Sequence, residues 1–190
     1  NTVPRLLEKI YDGIIGKGKN LPYIKKQIFF LAVKLGLRYK LNAKWRLFYN
    51  FKLKIARKLI FSKWKEALGG EDLLIVSGGA ALQERLARIF WAAGISIIEG
   101  YGLTETAPVI AVNFHTPCIC KFGTVGPVLE NVEVKIADDG EILAKGPNIM
   151  LGYYKAPELT KEVIDDDGYF HTGDIGYVDK DGFLKITDRK

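Results

Sequence analysis

The chain has 190 residues, 48% of them hydrophobic and 26% charged, which excludes a disordered segment and leaves room for one ordinary domain or two small ones. The net charge of +6 hides a split. Residues 1–65 carry seventeen Lys and Arg against Glu8 and Asp12, whereas residues 66–190 carry eleven against twenty acids, so +15 is followed by −9. Three helices are expected first. Leu6, Leu7, Ile10 and Ile14 follow helical spacing until Gly13 and Gly16, and a Lys/Gly/Asn linker comes next. Pro22 opens a second helix over Tyr23–Leu37. A third, Ala43–Leu68, lines Trp45, Phe48, Phe51, Ile55 and Leu59 along one face, which reads as core among surrounding cations.

The period then changes. Leu73–Val76 is a short apolar run ending in Ser77-Gly78-Gly79, Gln83–Ala93 is helical, and Ile95–Ile98 is the next strand. Strand, helix, strand predicts a parallel βαβ unit, whose ligands bind beyond the carboxyl ends of the strands. From about Lys121 the pattern is short strands and tight turns. Val132–Ile136 alternates and turns through Asp138-Asp139-Gly140 into Glu141–Lys145, and Tyr177-Val178 pairs with Phe183–Thr187 around Asp179–Gly182. Pro157–Val163 forms one short helix within this antiparallel, barrel-like part. The expected class is therefore α/β, a partial parallel sheet with a helical insert followed by a small antiparallel β subdomain.

No leader pattern opens the chain, and its longest apolar run, Ile28–Val33, falls far short of the ~20 residues of a membrane span. Cys118 and Cys120, with only His115 nearby, supply too few ligands for a metal and read as reduced cytosolic thiols. Gly13, Gly18 and Lys19 match the spacing of a phosphate-binding loop, but a helix precedes them and Asn20 takes the metal-binding hydroxyl position, so the match reads as a linker.

The string Gly100-Tyr101-Gly102-Leu103-Thr104-Glu105-Thr106 is more informative. Two glycines permit close backbone approach, Tyr101 offers a ring for stacking, Thr104 a hydroxyl for phosphate, and Glu105 a hard carboxylate suited to Mg2+. With Ser77–Ala80, Gly123-Thr124-Val125-Gly126, Gly152-Tyr153-Tyr154, His171-Thr172-Gly173-Asp174 and Ile186–Lys190 in order, the sequence resembles the adenylate-forming (AMP-binding) superfamily, which includes acyl-CoA synthetases, luciferases and peptide-synthetase adenylation domains. The resemblance covers roughly Leu73–Lys190, and more loosely the chain from Val3 onward.

The resemblance implies roles. Gly78, Gly79 and Ala80 line the adenine and acyl site, and Glu99, Gly100 and Gly102 frame Tyr101, which stacks on adenine. Thr104 binds the α-phosphate, Glu105 holds Mg2+, Asp174 accepts from the ribose hydroxyls, Ile186 packs near the base, and Arg189 reaches ribose or phosphate. ATP, Mg2+ and CoA are the implied cofactors and a fatty acid the implied substrate. Glu99 and the basic insert resemble long-chain fatty-acid–CoA ligases, with an aryl, medium-chain or amino-acid activating relative as the alternative, while Ala81, where the family often has Pro, leaves chain length open.

The implied division is a basic helical segment over 1–72, an α/β part with the nucleotide loops over 73–116, and a β-rich part over 117–190 ending at a hinge to a further domain. The chain thus reads as an internal stretch of a larger enzyme, inactive by itself and open to self-association. With no Ser/Thr/Gly-rich loop ending in Lys before residue 73, and the lysine of the further domain expected outside residues 1–190, it lacks two of the family's three sources of positive charge at the phosphates. The basic face suits peripheral contact of residues 1–65 with the inner face of an anionic membrane in a cytoplasmic protein, equally a solvated face packed on other parts of the enzyme, and no nucleic-acid partner is expected.

Overall fold

A computed structural model describes residues 4–41, 47–70 and 74–190, with Cys118 described for its backbone only. The chain forms two compact units, the first from residues up to Ile98 with His115–Phe122, the second from Glu99–Phe114 with Gly123–Lys190.

In the first unit, helices α1 (Pro4–Lys19), α2 (Tyr23–Gly36), α3 (Leu47–Ala56) and α4 (Ser62–Leu68) gather around α5 (Glu84–Ala92). Strand β1 (Leu74–Ser77) precedes α5, and β2 (Ser96–Tyr101) follows it as its neighbour in a sheet that contains the expected parallel pairing. Leu86, Ile89 and Phe90 on one face of α5 are fully buried, each such side chain contributing about 1.5–3 kcal/mol. Trp64 fills the centre, its ring 5.2 Å from Phe61, 6.1 Å from Phe90, 6.3 Å from Phe29 and 6.4 Å from Tyr11. The Trp91 indole N–H donates to Ile97 O at 2.7 Å, which ties α5 to β2.

Two expectations for this unit change. The first helix does not stop at Gly16 but runs through Lys19, so the segment expected as a linker is helical. Packing outweighs the helix cost of glycine, about 1 kcal/mol, because a Cβ on Gly18 would lie 2.1 Å from the Phe29 ring. The third helical stretch also differs. Residues 57–61 (Arg57–Phe61) form a π-turn, and the buried side is Leu53, Ala56, Phe61 and Trp64. Phe48, Phe51, Ile55 and Leu59, expected as core, are exposed; Trp45 lies outside the described residues. The stretch is apolar on two sides, and the side that enters the buried core is the one with Leu53 and Ala56. At the π-turn, Arg57 donates from Nε to Ala92 O at 2.8 Å and from Nη2 to Trp91 O at 3.3 Å, placing its charge on the carbonyl end of α5.

In the second unit, the end of β2 pairs antiparallel with β3 (Ala111–Val112), with Tyr101 opposite Ala111. A five-stranded antiparallel sheet runs β4 (Gly126–Pro127), β8 (Phe183–Arg189), β7 (Phe170–Val178), β6 (Glu141–Lys145), β5 (Glu133–Ile136) in that spatial order. It is an open sheet. Ile110, Ala111, Ile142, Ala144 and Leu184 are its fully buried core, with Leu103 and Ile186 packed against them. The short helix α6 (Pro157–Val163) precedes β7 as expected. Strand β7 starts earlier than Tyr177, so the His171–Asp174 string lies in a strand rather than a turn.

Candidate functional site

The second unit gathers most of the residues singled out in the sequence. Tyr101, at the end of β2, is only 8% exposed, and its hydroxyl donates to Asp174 Oδ2 at 2.8 Å. Burial, with the Asp174 carboxylate beside it, pushes the phenol well above the usual tyrosine range. Asp174 on β7 stands in register with Arg189 on β8, and their side chains approach to 3.9 Å between Nε and Oδ1. Asp174 is largely covered while Arg189 is mostly exposed, so the pair presents a guanidinium to solvent over a fixed carboxylate.

Beyond Tyr101 the chain turns into a short 3₁₀ helix, Thr104–Thr106. Gly102 is required by the chain's own path, since a Cβ there would sit 1.6 Å from Pro108 O. The buried Thr106 hydroxyl accepts from the Leu103 N–H at 2.9 Å and bonds Pro108 O at 2.8 Å. Asn148 donates to Thr106 O at 2.9 Å and Val109 O at 3.0 Å, clamping the loop from the far side. The clamp presents Thr104 exposed and Glu105 half-buried. Glu105 Oε1 accepts from the Tyr153 hydroxyl at 3.0 Å, and that bond raises the Tyr153 phenol above its usual range.

A shallow pocket of about 430 Å³ is lined by Glu105, Glu141, Tyr153, His171, Arg189 and Lys190, among others. Two of its members, Glu141 and Lys190, had no expected role. The buried Glu141 carboxylate accepts from the Gly173 N–H at 2.9 Å, from Lys190 Nζ at 2.9 Å and from His171 Nδ1 at 3.2 Å. Burial raises its pKa, but those donors together outweigh burial and hold the carboxyl below its ordinary value. Lys190 also reaches Asp139 Oδ2 at 2.7 Å. The sequence signal for Glu141 was an acid heading a strand whose next three residues, Ile142-Leu143-Ala144, are all apolar and buried.

The remaining residues are placed as follows. Glu99 is buried on β2, and its carbonyl accepts the Asn113 N–H at 2.8 Å. Gly100 is in register with Val112. Ile186 is half-buried against the second core. Gly78, Gly79 and Ala80 follow β1 in the first unit, behind Ser77, whose buried hydroxyl has no hydrogen-bond partner among the described residues. Cys120 is buried, and no cluster of three His, Cys, Asp or Glu able to hold a metal occurs among the described residues.

The chain is similar to known proteins. The family model described as AMP-binding enzyme matches residues 1–154, and the chain belongs to that family. Over 193 residues it is 38% identical to the long-chain-fatty-acid–CoA ligase FadD15 of Mycobacterium bovis, covering all of this chain and 31% of that protein. Long chain acyl-CoA synthetase 3 of Arabidopsis thaliana is 36% identical over 202 residues, covering 99% of this chain and 30% of its own length. The chain thus spans about a third of the curated relatives it matches.

Among solved structures, O-succinylbenzoate coenzyme A synthetase of Bacillus subtilis in complex with AMP superposes with a TM-score of 0.55 at 32% identity, over 62% of this chain and 26% of that one. Apo MatB of Rhodopseudomonas palustris gives 0.55 at 35% identity, over 61% and 25%.

Proposed function

We propose that this chain supplies the adenosine- and magnesium-binding part of an AMP-forming synthetase that joins long-chain fatty acids to CoA. The observation that carries the reading is the Tyr101–Asp174–Arg189 constellation beside Glu105: a ring, a fixed carboxylate acceptor and a cation within one unit. In this reading Asp174 accepts from the ribose hydroxyls, because a carboxylate already held by Tyr101 needs no reorganisation to do so. Tyr101 and Ile186 serve the base, Thr104 the α-phosphate, and Arg189 ribose or phosphate. Gly78, Gly79 and Ala80 serve the adenine and acyl groups, and Glu99, Gly100 and Gly102 frame Tyr101 for the nucleotide.

Glu105 suits Mg2+, which takes one or two carboxylates and keeps several waters, and its second oxygen is not used by Tyr153. When bound, the ion supplies charge neutralisation at the phosphates. The chemistry is attack of the fatty carboxylate on the α-phosphorus with loss of pyrophosphate, then displacement of AMP by the CoA thiol. These residues contribute positioning and electrostatics to the first half.

Similarity at 36–38% identity to ligases named for long-chain substrates supports the acyl class. ATP–pyrophosphate exchange by the full-length protein across an acid length series tests it, with exchange expected for long chains. No exchange with any acid from medium to long chain overturns the reading. Residues 1–190 alone are expected to bind nucleotide weakly and to show no turnover.

A second feature supports membrane-surface contact by the first unit. Ile24, Ile28 and Leu31 of α2 and Phe48, Phe51 and Ile55 of α3 are exposed, and a groove of about 420 Å³ between these helices is bordered by Lys34, Arg38 and Lys52. No helix among the described residues is long and apolar enough to cross a membrane. Apolar side chains ringed by cations suit the inner face of an anionic bilayer. Co-sedimentation with phosphatidylserine but not phosphatidylcholine vesicles is expected, and equal recovery with both overturns it.

A further inference from the structure

We infer that Glu141 is a positioning residue for the Asp174–Arg189 pair, holding both strands that carry it. The inference rests on the proposed role of that pair in binding nucleotide.

The geometry is specific. One oxygen of Glu141 accepts from the backbone N–H of Gly173, the residue before Asp174, and the other accepts from Nζ of Lys190, the residue after Arg189. The same two residues are joined by a backbone bond, Lys190 N to Gly173 O at 2.7 Å. Glu141 therefore grips β7 and β8 at the neighbours of the two side chains proposed to bind nucleotide, without pointing at either of them. His171, two residues upstream of Gly173, fills a further acceptor site.

A carboxylate with a side chain only 5% exposed is costly to bury unless its oxygens are met by donors. Here three donors meet it. The group is itself fixed by its turn: Glu141 N donates to Asp139 Oδ1 at 3.1 Å, and Glu141 O accepts the Ala137 N–H at 2.9 Å. Ladder bonds alone do not fix this end of the sheet, since the β6–β7 register is interrupted between Glu141 and Leu143, and the β7–β8 register between Ile175 and Gly176. Bulges leave strand ends free to re-aim, so a side chain that spans them sets the separation of Asp174 and Arg189.

Glu141→Gln keeps the size of the side chain but turns one acceptor into a donor facing Gly173 N–H or Lys190, while Lys190 retains Asp139. In the full-length protein E141Q is expected to bind AMP at least tenfold more weakly and to raise the KM for ATP in step. The KM for the fatty acid should stay within twofold, and the thermal midpoint within a few degrees. K190M should move AMP affinity in the same direction by less, and E141Q/K190M should be no weaker than E141Q.

AMP affinity of E141Q within twofold of wild type overturns the inference. So does a uniform rise of both KM values with a matching loss of thermal stability, which marks a purely structural role. Should E141Q fail to fold, the exposed K190M decides, and unchanged AMP affinity there overturns it. D174N separates the two layers. If D174N weakens AMP binding and E141Q does not, only the positioning role falls. If D174N binds AMP as wild type does, the nucleotide reading of Asp174 falls and the positioning role with it.

Discussion

The hydroxyl of Tyr101 donates a 2.8 Å hydrogen bond to the carboxylate of Asp174, joining the end of β2 to β7 across 73 residues of chain. Removing that hydroxyl tests its importance directly. Tyr101→Phe should lower stability by about 0.5–1.5 kcal/mol, measured by denaturant unfolding, and weaken AMP binding several-fold. Burial raises the phenol's folded pKa above its ordinary value of 10.0. A raised folded pKa means that the contribution is fully present below pH 10 and is lost as pH rises beyond it. Ultraviolet titration should accordingly show one fewer late-ionising tyrosine in Y101F than in the wild-type protein.

The two glycines around Tyr101 should respond oppositely to alanine. Gly102→Ala forces a Cβ to within 1.6 Å of Pro108 O, so loss at or above the usual ~1–3 kcal/mol of overpacking is expected. Gly100→Ala meets nothing nearer than Val112 Cγ2 at 3.6 Å and should unfold at the wild-type temperature. If nucleotide approaches the backbone at Gly100, G100A should fold normally yet bind AMP more weakly. Thermal unfolding and calorimetric titration together read both outcomes.

Glu105 is expected to matter through charge. Glu105→Gln keeps an oxygen for Tyr153 but removes the hard anion, and should lower pyrophosphate exchange about 100-fold, the scale of losing one preorganised electrostatic group. The Mg2+ concentration for half-maximal activity should rise. Tyr153→Phe leaves the carboxylate in place and should change exchange only several-fold.

Arg57 offers a test in the first unit. Its guanidinium reaches two carbonyls, of Trp91 and Ala92, at the end of α5. Arg57→Ala should cost about 2 kcal/mol, and Arg57→Lys should recover only part of it, because an ammonium cannot span both acceptors in one plane. Denaturant melts of the three proteins give the comparison.

Where a segment's own spacing decided its structure, the sequence was readable. Both hairpins, the short helix at Pro157 and the strand–helix–strand order followed from period and turn chemistry. Legibility failed where distant packing chose between local options. Phe29 makes Gly18 a helical contact rather than a break, and the shared core takes in Leu53 and Ala56 and leaves Phe48 and Phe51 exposed. The candidate site was legible as residue types in a string, but not as partners. Nothing in the string pointed to Tyr101 and Arg189 as the partners of Asp174, and Glu141 needed two strands and three donors to acquire meaning.

The short reach of β4 has one more consequence. It covers β8 only at Phe183 and Leu184, so among the described residues Lys185–Arg189 is laddered on the β7 side alone. The last five of the seven residues of β8 form an edge, and they include Arg189. Edges of this kind invite pairing by other chains, and the exposed charges of Asp188, Arg189 and Lys190 discourage it. With one row of backbone bonds on that edge among the described residues, keeping Arg189 opposite Asp174 falls to the β7 ladder and, on the role proposed for Glu141, to its hold on Lys190.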